Sequence, residues 1–212
     1  MRIDVASLSV KDAYALLTTV VVPRPIGWIT TVDSGGDGHV NLAPFSYFNA
    51  LCSDPPMVTL SIVDGRGGVP KDTLRLMQAT GLFCVNLVEE HDLERMNQTS
   101  AELPPQESEA VHFGIETVPF EGGVRVASAR VAMACRVVEQ HRYGRAAKVT
   151  LVIGEVLAFH VEDCLLTGDS RSGGGVAVDG ALLSPVSRLD GPHYGLGARR
   201  VTLHRPTGRS GS

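Results

Sequence analysis

The stretch that decides the fold is V-P-R-P-I-G-W-I-T-T-V-D, Val22 to Asp33, answered by H-V-N-L-A-P-F-S, His39 to Ser46. The first half is rich in β-branched residues and carries two adjacent hydroxyls, Thr30 and Thr31. Between the halves lie Ser34, Gly35, Gly36, Asp37 and Gly38. Glycine accepts positive φ without strain, so this segment predicts a chain reversal. The polar-ended segment Asn41 to Ser46 then returns beside the first strand. Pro23 and Pro25 keep the start of that strand out of a regular central ladder and predict a bent or edge position.

Working outward, Lys11 to Thr18 has apolar positions at Ala13, Leu16 and Leu17 and predicts a short amphipathic helix. Met57 to Val63 and Leu82 to Val88 read as buried strands. Thr73 to Thr80 reads as a helix that Asp72 caps and Gly81 stops. Glu89 to Thr99 predicts a polar surface helix, and Leu103 to Val111 a loop with a short helix. Together they make an excursion outside the main body. Val131 to Gln140 and Val149 to His160 predict a long antiparallel hairpin, Ser170 to Gly180 a flexible loop, and Val201 to Leu203 a last strand. Frequent strands, few long helices and no βαβ alternation predict an antiparallel barrel. Residues 1–206 read as one domain and 207–212 as a frayed tail.

Composition narrows the function classes. The chain has 212 residues, 43% hydrophobic and 20% charged, which suits one globular domain with a sizeable core. Its 23 glycines and 12 prolines favour turns between short strands over a helix bundle. A net charge of −4 leaves no basic footprint for nucleic acid or an anionic membrane surface. Cys52, Cys84, Cys135 and Cys164 are widely spaced, with no C-x-x-C pair to suggest zinc, and Cys84 and Cys135 sit in apolar runs as core residues. The charged N-terminus and the lack of a membrane-length apolar stretch predict a cytoplasmic protein.

The order of the motifs carries more than any one of them. V-P-R-P-I-G-W-I-T-T (Val22 to Thr31) and N-L-A-P-F-S-Y-F-N (Asn41 to Asn49) precede D-P-P-M-V (Asp54 to Val58) and K-D-T (Lys71 to Thr73). G-L-F-C-V-N-L-V (Gly81 to Val88) and M-N-Q-T-S (Met96 to Ser100) follow. In this order and spacing, from Tyr14 to Arg205, the chain resembles the flavin reductase-like family, whose domain is the FMN-binding split barrel; the resemblance implies a mainly β, antiparallel Greek-key split barrel with a few peripheral helices.

That resemblance implies a cofactor site. K-D-T opens a helix, where free N–H groups and a partial positive charge suit an anion; in the family it lies at the FMN phosphate, which puts Lys71, Asp72 and Thr73 there. Thr30, Thr31, Asn41, Ala43, Pro44, Phe45 and Ser46 are placed along the ribityl chain and ring, with backbone N–H groups of Ala43 to Phe45 facing the flavin. FMN is the implied cofactor, with FAD an alternative, and NADH or NADPH the electron donor. The implied activity is an NAD(P)H-dependent flavin reductase, a homodimer that supplies reduced flavin to a monooxygenase or another redox partner. The rival reading is an FMN-binding electron carrier with the same site. Hydride transfer needs no nucleophile, metal or general base, so no catalytic side chain is assigned. Trp28 reads as core or dimer interface, Asn86 as a structural hydrogen-bonding residue, and His160 and His193 as structural or surface residues. Arg24, stiffened by two prolines, suits a phosphate or an ion pair.

Overall fold

The computed structural model describes residues 1–33, 39–167 and 175–203. In chain order, helix α1 (Val10–Val20) leads into strands β1 (Arg24–Pro25), β2 (Gly27–Val32), β3 (Val40–Phe45), β4 (Phe48–Ser53) and β5 (Pro56–Val63). Helix α2 (Asp72–Thr80) and strand β6 (Leu82–Leu87) follow, then α3 (Leu93–Gln98), α4 (Glu109–His112) and the hairpin β7 (Thr117–Phe120) and β8 (Gly123–Val126). The long strands β9 (Val131–Tyr143) and β10 (Val149–Val161) precede short strands β11 (Leu166–Thr167), β12 (Ala177–Val178), β13 (Val186–Arg188) and β14 (Tyr194–Leu196).

Seven strands form one antiparallel sheet in the order β3-β2-β6-β9-β10-β5-β4. Strands β3 and β4 are its two edges, yet only Ser46 and Tyr47 separate them in the chain. So short a link forces the sheet to curl until its edges meet, which makes a barrel. The edges do not pair with each other, so the barrel is split. Tyr47 O nevertheless accepts from Ser61 N on β5 at 2.9 Å. The step from β5 through α2 to β6 spans the inserted β9–β10 hairpin, which is the Greek-key crossing. The mainly β, antiparallel split-barrel reading of the sequence is what the chain adopts.

Strands alternate their side chains between two faces, and here both faces are covered. Ile29, Phe45, Leu60, Ile62, Phe83, Val85 and Val152 fill the barrel interior, which Leu74 and Met77 of α2 close. Trp28, Val40, Leu42 and Val88 point outward and pack on Met96, Ala110, Ile115 and Val126 of the excursion. Residues 88–129 therefore build a second core, and the predicted polar surface helix is half buried: Glu89, Asp92, Met96 and Thr99 are all covered. Trp28 is core, fully buried, with Nε1 donating to Thr99 Oγ1 at 2.9 Å. Asn86 joins the two layers as expected of a buried amide. Its Nδ2 donates to Trp28 O at 2.9 Å and its Oδ1 accepts from Val126 N at 2.8 Å.

Several local expectations need correction. Val201 to Leu203 form no strand and all three are exposed, so they add nothing to the core. Lys71, not Asp72, is the cap of α2. Its extended backbone (φ −65°, ψ 153°) precedes the helix, and the Asp72 carboxylate bonds Arg75 instead, at 2.9 and 3.1 Å. The Gly81 stop is confirmed by its left-handed φ of 72°. The turn 34–38, residues 170–174 of the loop Ser170 to Gly180 and the tail 207–212 lie outside the described residues, and the described end of that loop holds the short strand β12. The pairing that the turn predicts is present: β2 and β3 run antiparallel from Val32↔Val40 to Gly27↔Phe45.

Gly154 of β10 marks a tight point of the interior. A Cβ added there overlaps the buried Phe83 ring, 2.7 Å from Cε1. Gly154→Ala is expected to lower unfolding stability by about 1–3 kcal/mol, the usual range for overpacking, measured by urea denaturation. An unchanged midpoint would show that the ring gives way freely.

Candidate functional site

Two clefts meet along the split edge. The first, about 380 Å³, lies between the N-terminus of α2, the preceding loop Gly65 to Pro70, and residues Thr99 to Leu103. Asn41, Ala43, Lys71, Asp72 and Thr73 all line it. The second, about 690 Å³, lies between α1, the end of β3 and the β13–β14 hairpin, and holds Pro44, Phe45 and Ser46. Ser100 lines both, and Ala43 in the first is followed in the chain by Pro44 in the second, so the two clefts are neighbours. Their sizes fall in the range of small-molecule and cofactor sites.

The first cleft is built for hydrogen bonding. Behind its wall, Asn41 Nδ2 reaches Thr73 Oγ1 at 2.9 Å and Thr31 Oγ1 at 3.2 Å. All three residues are at least 97% buried. This chain ties the first turn of α2 to β2 and β3 and fixes where the helix N-terminus points. Nine residues long, α2 presents its first amides and partial positive charge to the cleft. Lys71 stands at that end, its Nζ 6.0 Å from the centre of the Phe45 ring.

Most carboxylates here already have partners. Asp72 is taken by Arg75, and Glu102 pairs with Arg66 at 3.1 Å across the cleft mouth. Glu109 Oε2 accepts from Leu42 N at 3.0 Å, and Ser108 Oγ donates to Val40 O at 2.5 Å. These two contacts from α4 satisfy the outer side of edge strand β3. Burial pushes the Glu109 carboxyl above the usual range, and Asp72 adds to this while the Leu42 amide partly offsets it.

The outward Leu42 amide also fixes the alternation of the β2–β3 ladder. Residues of an antiparallel pair exchange both bonds or neither. Leu42 is outward, so Ala43 and Phe45 turn their amides to Ile29 and Gly27 of β2. Pro44 has no N–H. The expectation that amides from Ala43 to Phe45 face a ligand is therefore corrected: these residues line the groove with side chains. Thr30 is also placed elsewhere. Its Oγ1 donates to Val124 O at 2.5 Å, and it lies beside Cys84, whose thiol burial pushes up to about 12. Thr31 contributes behind the wall and not on the groove surface.

The second cleft has a cationic cast. Lys11, Arg24 and Arg188 line it against one carboxylate, Asp190. The Arg188 guanidinium stacks 4.6 Å from the centre of the Tyr194 ring, and Tyr194 OH donates to Asn97 Oδ1 at 2.8 Å. M-N-Q-T-S counted in the sequence only as a family motif, and Tyr194, Asn97 and Ser100 were not among the expected site residues. Their signal is the pairing of β13 with β1, Arg24 opposite Arg188, which joins residues 164 apart. Arg66, Glu102 and Glu109 were missed because they come from the connection after β5, the connection after α3 and the start of α4, and none of the three lies in a family motif. No histidine lines this cleft among the described residues, and no three His, Cys, Asp or Glu residues gather as a metal site.

Comparisons with known proteins agree with this geometry. A profile of the flavin reductase like domain matches residues 19–173. The chain is 36% identical over 207 residues to the uncharacterized protein YwrF of Bacillus subtilis, covering 94% of this chain and 96% of that one. Nitrilotriacetate monooxygenase component B of Bacillus cereus superposes with a TM-score of 0.86 at 31% identity, covering 96% of this chain and 98% of that one. The 2-nitrobenzoate 2-nitroreductase NbaA of Pseudomonas fluorescens does so with a TM-score of 0.85 at 29% identity, over all of both chains.

The carboxyl of Glu109 gives a pH test of the site without any ligand. It holds its proton to higher pH in the folded state than in the unfolded one. Between the ordinary glutamate value, about 4.3, and its raised native value, the folded state binds more protons and stability falls as pH rises. Urea midpoints taken from pH 4 upward should therefore decline less steeply in Glu109→Gln than in the native chain. Parallel declines would show that this carboxyl is not desolvated.

Proposed function

This chain belongs to the flavin reductase-like domain family, and on that premise we propose that it binds FMN in the groove and works as an NAD(P)H-dependent flavin reductase. The observation that carries this reading is the placement of K-D-T with Asn41 and Ala43 on one cleft and of Pro44 to Ser46 on the neighbouring one, with a fixed helix N-terminus at the first. The donor set suits a phosphate: Lys71, Arg66 and the first amides of α2, with Asp72 and Glu102 held by arginines. Thr73 and Asn41 would set the helix against the phosphate, and Ala43 to Ser46 would line the rest of the cofactor. When bound, FMN supplies a ring that takes up a hydride as two electrons and a proton. The chain contributes the alignment of two reactants and exclusion of water from between them.

The second cleft supports a reductase over a plain electron carrier. It extends past Phe45 and Ser46 into space lined by Lys11, Arg188 and Tyr194, enough for a second, anionic reactant such as a nicotinamide nucleotide. Similarity to a monooxygenase component B favours a flavin-using monooxygenase as the downstream partner. Anaerobic mixing with NADH and with NADPH tests the activity: bleaching of the flavin absorbance with either supports it. A chain that binds FMN but is not bleached by either is an electron carrier, and one that ignores FMN overturns the whole reading.

Lys71→Ala should raise the dissociation constant for FMN about tenfold or more. A charge-assisted hydrogen bond contributes roughly 1.5–3 kcal/mol, and the exposed Lys71 is not needed for folding. Fluorescence quenching measures this, and an unchanged affinity would remove Lys71 from the phosphate site.

The functional unit we propose is a homodimer. Helix α1 buries only Thr18, leaving Val10, Tyr14, Leu17 and Val20 each more than half exposed. Helix α1 also forms one wall of the second cleft, so a second copy covering it would close the site. Light scattering on the flavin-bound protein should give twice the mass of one chain, and Leu17→Glu should shift it towards one. A native monomer at micromolar concentration would refute the assembly.

A further inference from the structure

Arg24 is 94% buried, yet no carboxylate pairs with it among the described residues. Its Nη1 donates to Thr18 O at 2.6 Å and Val21 O at 2.8 Å, and its Nη2 to Leu189 O at 2.9 Å. Its Nε is buried with no partner among the described residues. A guanidinium taken out of water at such cost is normally compensated by an anion. Here three carbonyl dipoles hold it in place while its full charge stays unneutralised. Arg24 lines the second cleft together with Pro44, Phe45 and Ser46. Lys11 in that cleft is solvent-exposed and screened, whereas Arg24 is fixed in a low-dielectric wall where a charge acts further.

We propose that Arg24 is the fixed positive charge that favours the reduced, negatively charged form of a flavin in this groove over the oxidised, neutral form. This rests on the flavin reading above. Hydride uptake brings two electrons and one proton to a neutral ring, leaving one negative charge there and the positive charge on the oxidised nicotinamide. A preorganised charge beside the place where charge develops costs no reorganisation at the moment of transfer. Arg24 acts through space from the wall, as a positioning residue for charge and not as a proton donor. Its second task, tying the end of α1 to the Leu189 loop, is separable from the first.

The test compares the native chain with Arg24→Met and Arg24→Lys, each loaded with FMN. The dissociation constant of oxidised FMN and the midpoint potential of the bound flavin together give the ratio of affinities for reduced and oxidised flavin. Arg24→Met should lower that ratio at least tenfold, equivalent to about 30 mV for a two-electron couple, and Arg24→Lys should keep it within threefold. Thermal unfolding of the flavin-free variants reports the tie to α1 separately. Should Arg24→Met fail to fold, nitrogen-15 spectra of the native protein decide. The Nε signal that Arg24→Lys removes should move when bound flavin is reduced and much less when oxidised flavin binds. A ratio unchanged within twofold in Arg24→Met, or an Nε signal indifferent to reduction, overturns the proposal. A native chain that binds no FMN overturns it together with the reading it rests on.

Discussion

The structure depends on a two-residue link. Ser46 and Tyr47 join β3 and β4, which are opposite edges of a seven-stranded sheet. The chain cannot span an open sheet in two residues, since a residue advances it only about 3.3–3.6 Å. The sheet must close on itself, and the seam left unpaired becomes the groove. Edge strand β3 would otherwise be a liability, with a row of bare backbone groups. α4 caps part of it through Ser108 and Glu109, and Pro44 removes one donor from the remainder. The groove is thus the managed edge of the barrel.

Closure also explains why polar residues sit so deep. β2 and β3 are buried on both faces, so their hydroxyls and amides cannot reach bulk water and must satisfy one another. Thr31, Asn41 and Thr73 do so on the inner side, and Thr30 and Asn86 on the outer side. The first set orients α2, and through it the anion-binding end of the groove. The second fastens the excursion that supplies Asn97, Ser100 and Glu102 to the opposite wall. Stability and site geometry rest on the same buried bonds.

Charge is distributed unevenly along the groove. At the α2 end, cations meet carboxylates that are mostly engaged with arginines, so an incoming anion exchanges partners without meeting a bare field. At the α1 end, a guanidinium is buried with carbonyls alone. A net charge of −4 gives the chain no general attraction for anions, and these local arrangements take its place. Exposed apolar residues on α1 lie beside the second of them, which links the assembly of the chain to the chemistry of its groove.

Much of this was legible in the sequence. β-Branched runs, the Gly-rich reversal and the K-D-T helix start are local signals, and short-range backbone preferences fix them wherever the chain goes. They determined the antiparallel barrel class, the β2–β3 pairing and the Gly81 stop; the expectation that Asn41, Ala43 to Ser46 and Lys71 to Thr73 share one site came from the family resemblance. The orientation of individual groups was not local. Which of Thr30 and Thr31 faces which core, and which way the β3 amides turn, depends on strand register and on a contact from Glu109, 67 residues beyond Leu42. Arg24 could be read only as suiting a phosphate or an ion pair, because its carbonyl partners come from the end of α1 and from Leu189, brought together by the β1–β13 pairing. Sequence periodicity places residues on a face; only closure of the barrel decides what that face meets.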